Sequence, residues 1–161
     1  MVRVGFIGCF LVCFSFVNMA FADQLIEVSS LETAKIQFDR SPALSPSDTC
    51  EHLSIEKKQM GYTLDWRAGC YSESEQPKNM QKKRKLKPAE FDSVWKLIEQ
   101  HKLRSTHISE LPIPDSGSSG LKIVWKVRGK LEETNSIQCV SEACHQKIGD
   151  VITKLKELAK H

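Results

Sequence analysis

The chain has 161 residues and carries 23 Lys and Arg against 20 Asp and Glu, a formal net charge of +3. That length supports one domain with one modest core and excludes a multidomain arrangement. Beyond Val17 no apolar stretch is long enough to cross a bilayer, which excludes a later spanning segment.

The N-terminus reads as a secretory signal. Arg3 precedes an apolar run of 14 residues, Val4 to Val17, and the small-residue stop Ala20-Phe21-Ala22 follows. A membrane anchor would need roughly 20 apolar residues, and no basic cluster follows at Asp23 to Ser30 to stop transfer. A lipoprotein site fits poorly, because too little apolar chain precedes Cys9 and Val12 stands before Cys13. Residues 1–22 are therefore expected to be a signal peptide cleaved after Ala22. The mature single domain, 23–161, then works as a secreted or periplasmic protein.

The first strand is expected where Ala34, Ile36 and Phe38 alternate with Lys35 and Gln37, and residues 41–48 read as a loop. Leu53 and Ile55, then Tyr62, Leu64, Trp66 and Ala68, alternate with polar neighbours and predict a hairpin. Pairing Ile55 with Leu64 and Leu53 with Trp66 puts both apolar sets on one face. The same register brings Cys50 and Cys70 together at the open end.

Residues 71–87 read as a polar, basic connection, with Lys82, Lys83, Arg84 and Lys85 as its densest part. Lys87-Pro88-Ala89-Glu90 then reads as a helix start, and Phe91, Val94, Trp95 and Ile98 predict an amphipathic helix from Pro88 to about Leu103. Residues 104–120 form a long connection, apolar and stiff at Leu111-Pro112-Ile113-Pro114 and flexible from Asp115 to Gly120.

Leu121, Ile123, Trp125 and Val127 give the clearest strand. Leu131, Ile137 and Cys139 share its parity, so a three-residue turn, Arg128 to Lys130, or a bulge is required to keep them on its face. The return strand carries enough charge to be a protected edge. Ser141 is expected to cap a final helix, whose Cys144, Ile148, Val151, Ile152, Leu155 and Leu158 recur at helical spacing. Trp66, Trp95 and Trp125 are expected to meet in the core. The fold class is thus α+β, an antiparallel sheet of about 4–5 strands in two hairpins with two amphipathic helices packed on one face. This order of elements is similar to that of some small secreted inhibitors of extracellular proteases, the emfourin type among them. The likeness is one of layout and carries across no residue.

Cleavage would leave four cysteines, Cys50, Cys70, Cys139 and Cys144. An even number in an exported chain points to disulfides, and sequence neighbours favour Cys50–Cys70 and Cys139–Cys144. A metal set of Cys139, Cys144 and His145 lacks a matching second pair, and redox catalysis would want a C-x-x-C. His52, His101, His107, His145 and His161 sit in no metal-binding spacing. The string Gly117-Ser118-Ser119-Gly120 precedes a strand, whereas a nucleophile elbow follows one. Glu132-Glu133 and Glu73 with Glu75 read as surface charge. No catalytic residue, metal or cofactor is expected.

Two binding elements remain. The cations Lys82, Lys83, Arg84 and Lys85 suit an anionic envelope component or an acidic protein, or else form a solvated face. Nucleic acid does not fit, since no aromatic residue is interleaved to stack on bases. Leu111, Pro112, Ile113, Pro114 and Asp115 form a candidate interaction loop, unless Leu111 and Ile113 fold back on the core. The sequence therefore points to a non-enzymatic binding protein. The alternatives are a small inhibitor of a secreted protease or hydrolase acting through 104–120, and a structural envelope protein.

Overall fold

A computed structural model describes residues 25–41, 50–69, 80–111 and 117–161. The expected signal segment, Cys70 and Pro112 to Asp115 lie outside the described residues. Six strands form one antiparallel sheet: β1 (Leu31–Ser41), β2 (Glu51–Lys58), β3 (Gly61–Ala68), β4 (Met80–Leu86), β5 (Ser118–Val127) and β6 (Glu132–Cys139). Their spatial order is β4-β3-β2-β1-β5-β6. The β5–β6 hairpin is thus added to the free side of β1, which becomes central and pairs with both β2 and β5.

The expected hairpin register holds, with Ile55 opposite Leu64 and Leu53 opposite Trp66. Leu121 faces Ile137 and Lys126 faces Glu132. Carrying that register one step further leaves Arg128 to Lys130 as the three-residue turn, closed by the Lys130 N–H donating to the Val127 carbonyl at 2.9 Å. The strand count is corrected from 4–5 to six. The extra strand, β4, lies inside the basic run that reads as a connection in the sequence. Pattern reading misses it because cations occupy both of its faces.

Two helices cover one face. α1 (Pro88–Gln100) packs against β2 and β3, α2 (Glu142–Lys160) packs against β2 and β6, and the helices touch each other. α1 starts beside β4 and ends where the Leu103 carbonyl meets Asn135 of β6. α2 starts beside Cys139 of β6 and ends over Lys82 and Arg84 of β4. The helices therefore cross the sheet in opposite directions.

α1 stops short of the expected Leu103 because Lys102 takes a left-handed conformation, φ 53°. The Leu103 N–H returns to the Ile98 carbonyl at 2.9 Å and the Lys102 N–H to the Glu99 carbonyl at 3.1 Å. These two bonds close the helix end and satisfy carbonyls that would otherwise lack donors. At the start of α2, Ser141 is the expected cap, its hydroxyl accepting from the Cys144 N–H at 3.3 Å.

The core lies between helices and sheet. Ile36, Ile55, Leu64, Ile123 and Ile137 rise from the strands to meet Phe91, Ile98, Ile148 and Leu155, and all are buried. Trp95 and Trp125 are buried in this layer and Trp66 packs against it. Trp95 donates to the Ile26 carbonyl at 2.7 Å, Trp125 lies under the Arg104 guanidinium at 5.5 Å, and half-buried Trp66 reaches Glu51 at 3.3 Å. Buried Asn135 joins the edge strand to the turn after α1, donating to the Leu103 and Thr106 carbonyls and accepting from the Ser136 N–H.

Candidate functional site

Period two sends every second side chain to the face that the helices leave open. Pairing registers order that face into rows across the strands. One row runs Lys83, Asp65, Ser54, Gln37, Lys122, Ser136, and the next runs Lys85, Thr63, Glu56, Lys35, Val124, Thr134. Val124 is the single apolar side chain in these two rows. A groove of about 550 Å³ opens between them on the β2–β4 side, bordered by Lys35, Ser54, Glu56, Thr63, Lys83 and Lys85.

The acids in this groove are already neutralised. Asp65 accepts from Arg67 at 2.9 Å and stands 3.6 Å from Lys83, and Glu56 pairs with Lys58 at 3.0 Å. The hydrogen bond from Arg67 holds the Asp65 carboxyl below its ordinary range, against the opposing effect of burial. Lys35, Lys85 and Lys122 make no ion pair among the described residues. All three lie on the face that the two helices leave open.

The basic run singled out in the sequence is split by β4. Lys82 and Arg84 point to the covered face, where Lys82 Nζ donates to the Ala159 carbonyl at 3.1 Å and Arg84 donates twice to the Leu158 carbonyl. Both satisfy the open carbonyls at the negative end of α2. Arg84 also grips Glu90 with two hydrogen bonds of 3.0 and 3.2 Å. Those bonds, with one from the Lys87 N–H, keep the Glu90 carboxyl below its ordinary value. Lys83 and Lys85 point to the open face. The four cations are therefore two structural residues and two surface ones, and do not form one patch.

The long connection is anchored at its root. Gln138 of β6 donates to the Ile108 carbonyl at 2.9 Å and accepts from the Glu110 N–H at 3.2 Å, so residues 108–110 cover part of that edge. The Glu110 carboxylate takes three hydrogen bonds of 2.6 Å, from the Val140 N–H, the Ser141 N–H and the Ser141 hydroxyl. They draw its pKa down from 4.5 to about 2. Leu111 then stands 84% exposed and does not fold back on the core. Pro112, Ile113, Pro114 and Asp115 lie outside the described residues.

Cys139 and Cys144 are joined as a disulfide with Cα atoms 5.3 Å apart, which removes both as thiolate metal ligands. Cys50 is also disulfide-bonded, and its expected partner, Cys70, lies outside the described residues. No group of three or more His, Cys, Asp or Glu placed to hold a metal occurs among the described residues. His52 Nδ1 lies 2.5 Å from Asp39 on the open face, and Gln37 donates to the same carboxylate at 2.7 Å. An imidazole held this way resembles the orienting half of a nucleophilic triad. No described hydroxyl or thiol bonds its other ring nitrogen. Sequence reading left His52 isolated, and the signal that finds its partner is the β1–β2 register, which sets Asp39 opposite His52.

No protein-family model matches this chain, and no curated protein matches it in sequence. Among the described residues no helix is long and apolar enough to cross a membrane.

Proposed function

We propose that this chain is an exported, disulfide-stabilised binding protein that receives an anionic partner on the open face of its sheet. The single observation behind this reading is the one-sided sheet. Both helices lie on one face, and the other keeps a groove whose acids are internally paired while Lys35, Lys85 and Lys122 make no ion pair among the described residues. Export is supported by the signal-like N-terminus and by the Cys139–Cys144 disulfide, a bond that persists in oxidising compartments. The face carries few apolar groups, so attraction there is mainly electrostatic and falls with salt.

The test is capture from the secreted or periplasmic extract of the source cells. Wild type should retain a defined partner that the Lys35→Glu, Lys122→Glu double variant loses, with an unchanged melting temperature. Equal retention by the double variant would sink the reading. Inhibition of a secreted protease is the second reading, and it is favoured by Leu111. That side chain is held out, 84% exposed, directly after the rigid Glu110 anchor. Replacing Leu111 by Asp should then abolish inhibition and leave stability intact.

A further inference from the structure

The two hairpin turns of the sheet lie at the same end of the molecule. Lys58 pairs with Gly61 across the β2–β3 turn, Lys126 pairs with Glu132 beside the β5–β6 turn, and both sit where β1 begins. Each turn ends in a large apolar side chain projecting into solvent. Met60 is 99% exposed and Leu131 is 88% exposed. The sheet order places the two turns three strand spacings apart, about 14 Å. Gly61 at φ 141° and Gly129 at φ 77° supply the backbone that these turns need. Leu131 shares parity with the buried strand residues, but it lies past the last helix-covered position and so has nothing to pack on.

Single exposed apolar residues are common and mean little alone. Here both tips are flanked by cations. Lys58, Lys85, Lys87, Arg128 and Lys130 are exposed at this end, against the exposed acids Glu27, Glu132 and Glu133. Leu25, 71% exposed, leads into the 3-10 turn Val28–Ser30 between the tips, and the Arg128 N–H donates to the Ser30 carbonyl.

We infer that this end docks on an anionic phospholipid bilayer, with Met60 and Leu131 entering the interface and the cations meeting lipid phosphates. A protein partner fits less well. Protein hot spots are clustered, desolvated and rich in Trp, Tyr and Arg, whereas these tips are far apart and bear unbranched or singly branched aliphatic groups. A fluid interface accepts separate insertion points, and basic residues near it add attraction to anionic lipid. Neither signal is strong alone, and their combination is what gives reversible docking. The two apolar tips are distinct from the open-face groove, because they point along the strands and the groove lies across them; Lys85 borders both.

Vesicle co-sedimentation tests this. The protein is used as it is recovered after export, once circular dichroism has verified that it is folded. That protein should bind vesicles of phosphatidylcholine containing phosphatidylglycerol and should leave pure phosphatidylcholine in the supernatant. The Met60→Ser, Leu131→Ser double variant should bind about tenfold more weakly, with unchanged melting temperature because both side chains are exposed. Lys122→Glu, on the open face, should bind as wild type. The inference is overturned if wild type ignores anionic vesicles, if the double variant binds equally, or if Lys122→Glu loses as much as the double variant. The first two outcomes leave the open-face reading standing. The third moves lipid binding to that face.

Discussion

The covered and open faces of the sheet are made by the same strands and obey different physics. On the covered face Ile36, Ile55 and Leu64 lie in one row across β1, β2 and β3 and are buried beneath the helices. One residue along each strand, Lys35, Glu56 and Thr63 line up across the same strands and remain accessible. Burial of apolar area stabilises the first row at about 25 cal/mol per Å². The second row exchanges hydrogen bonds and ion pairs with water at little net gain. Packing energy is thus concentrated on one side of the pleat, and the other side can be altered with little effect on it.

The largest expected contrast is at the centre of the sheet. Ile55→Ala removes a fully buried side chain between Ile36 and Leu64 and should cost about 3 kcal/mol. Lys35→Ala, whose backbone neighbours Ile36, should stay within about 0.5 kcal/mol. Urea midpoints measure both. Comparable losses would mean that the open face also carries packing energy. A sharper form of the comparison lies within β4, where residue type is nearly constant and only the face changes. Arg84→Met takes the two Arg84 hydrogen bonds from the Leu158 carbonyl and two of the three on the Glu90 carboxylate, leaving the one from the Lys87 N–H, and should cost about 2 kcal/mol. Lys85→Met should be nearly neutral. If the two variants melted together, the division of the basic run into structural and surface halves would be wrong.

That strand also shows where sequence reading stops. The β2–β3 register, the 128–130 turn and the face of α2 were legible because each rests on apolar residues repeating at two or 3.6, and the Ser141 cap because serine is a preferred capping residue. In β4 the covered-face positions after Met80 are Lys82, Arg84 and Leu86. Long aliphatic stems fill the space, and the charged heads meet the last carbonyls of α2. A count of apolar residues cannot register that arrangement, so the strand resembles a solvated loop. The His52–Asp39 contact and the anchoring of Glu110 share another obstacle. Both join segments distant in sequence, 13 residues apart in one case and 31 between Glu110 and Ser141 in the other, and neither follows until the sheet order is known.

The smallest expected effect lies at the rim, where the two faces meet beside β6. Glu110 accepts three hydrogen bonds only as a carboxylate, and folding lowers its pKa from 4.5 to about 2. A group whose folded pKa is depressed adds stability above its unfolded value and loses it as pH falls through the folded one. The contribution is therefore complete above pH 4.5 and is withdrawn as pH falls toward about 2. Asp65 and Glu90 are also held below their ordinary values, so acid will destabilise wild type through several groups at once. The difference in melting temperature between wild type and Glu110→Gln isolates one of them. It should be constant near neutrality, shrink below pH 4.5 and approach zero near pH 2. A difference that stays flat across that window would mean the carboxylate is not the group that fastens the long connection to the start of α2. Leu111 would then lose its rigid mount, and with it the support for the inhibitory reading.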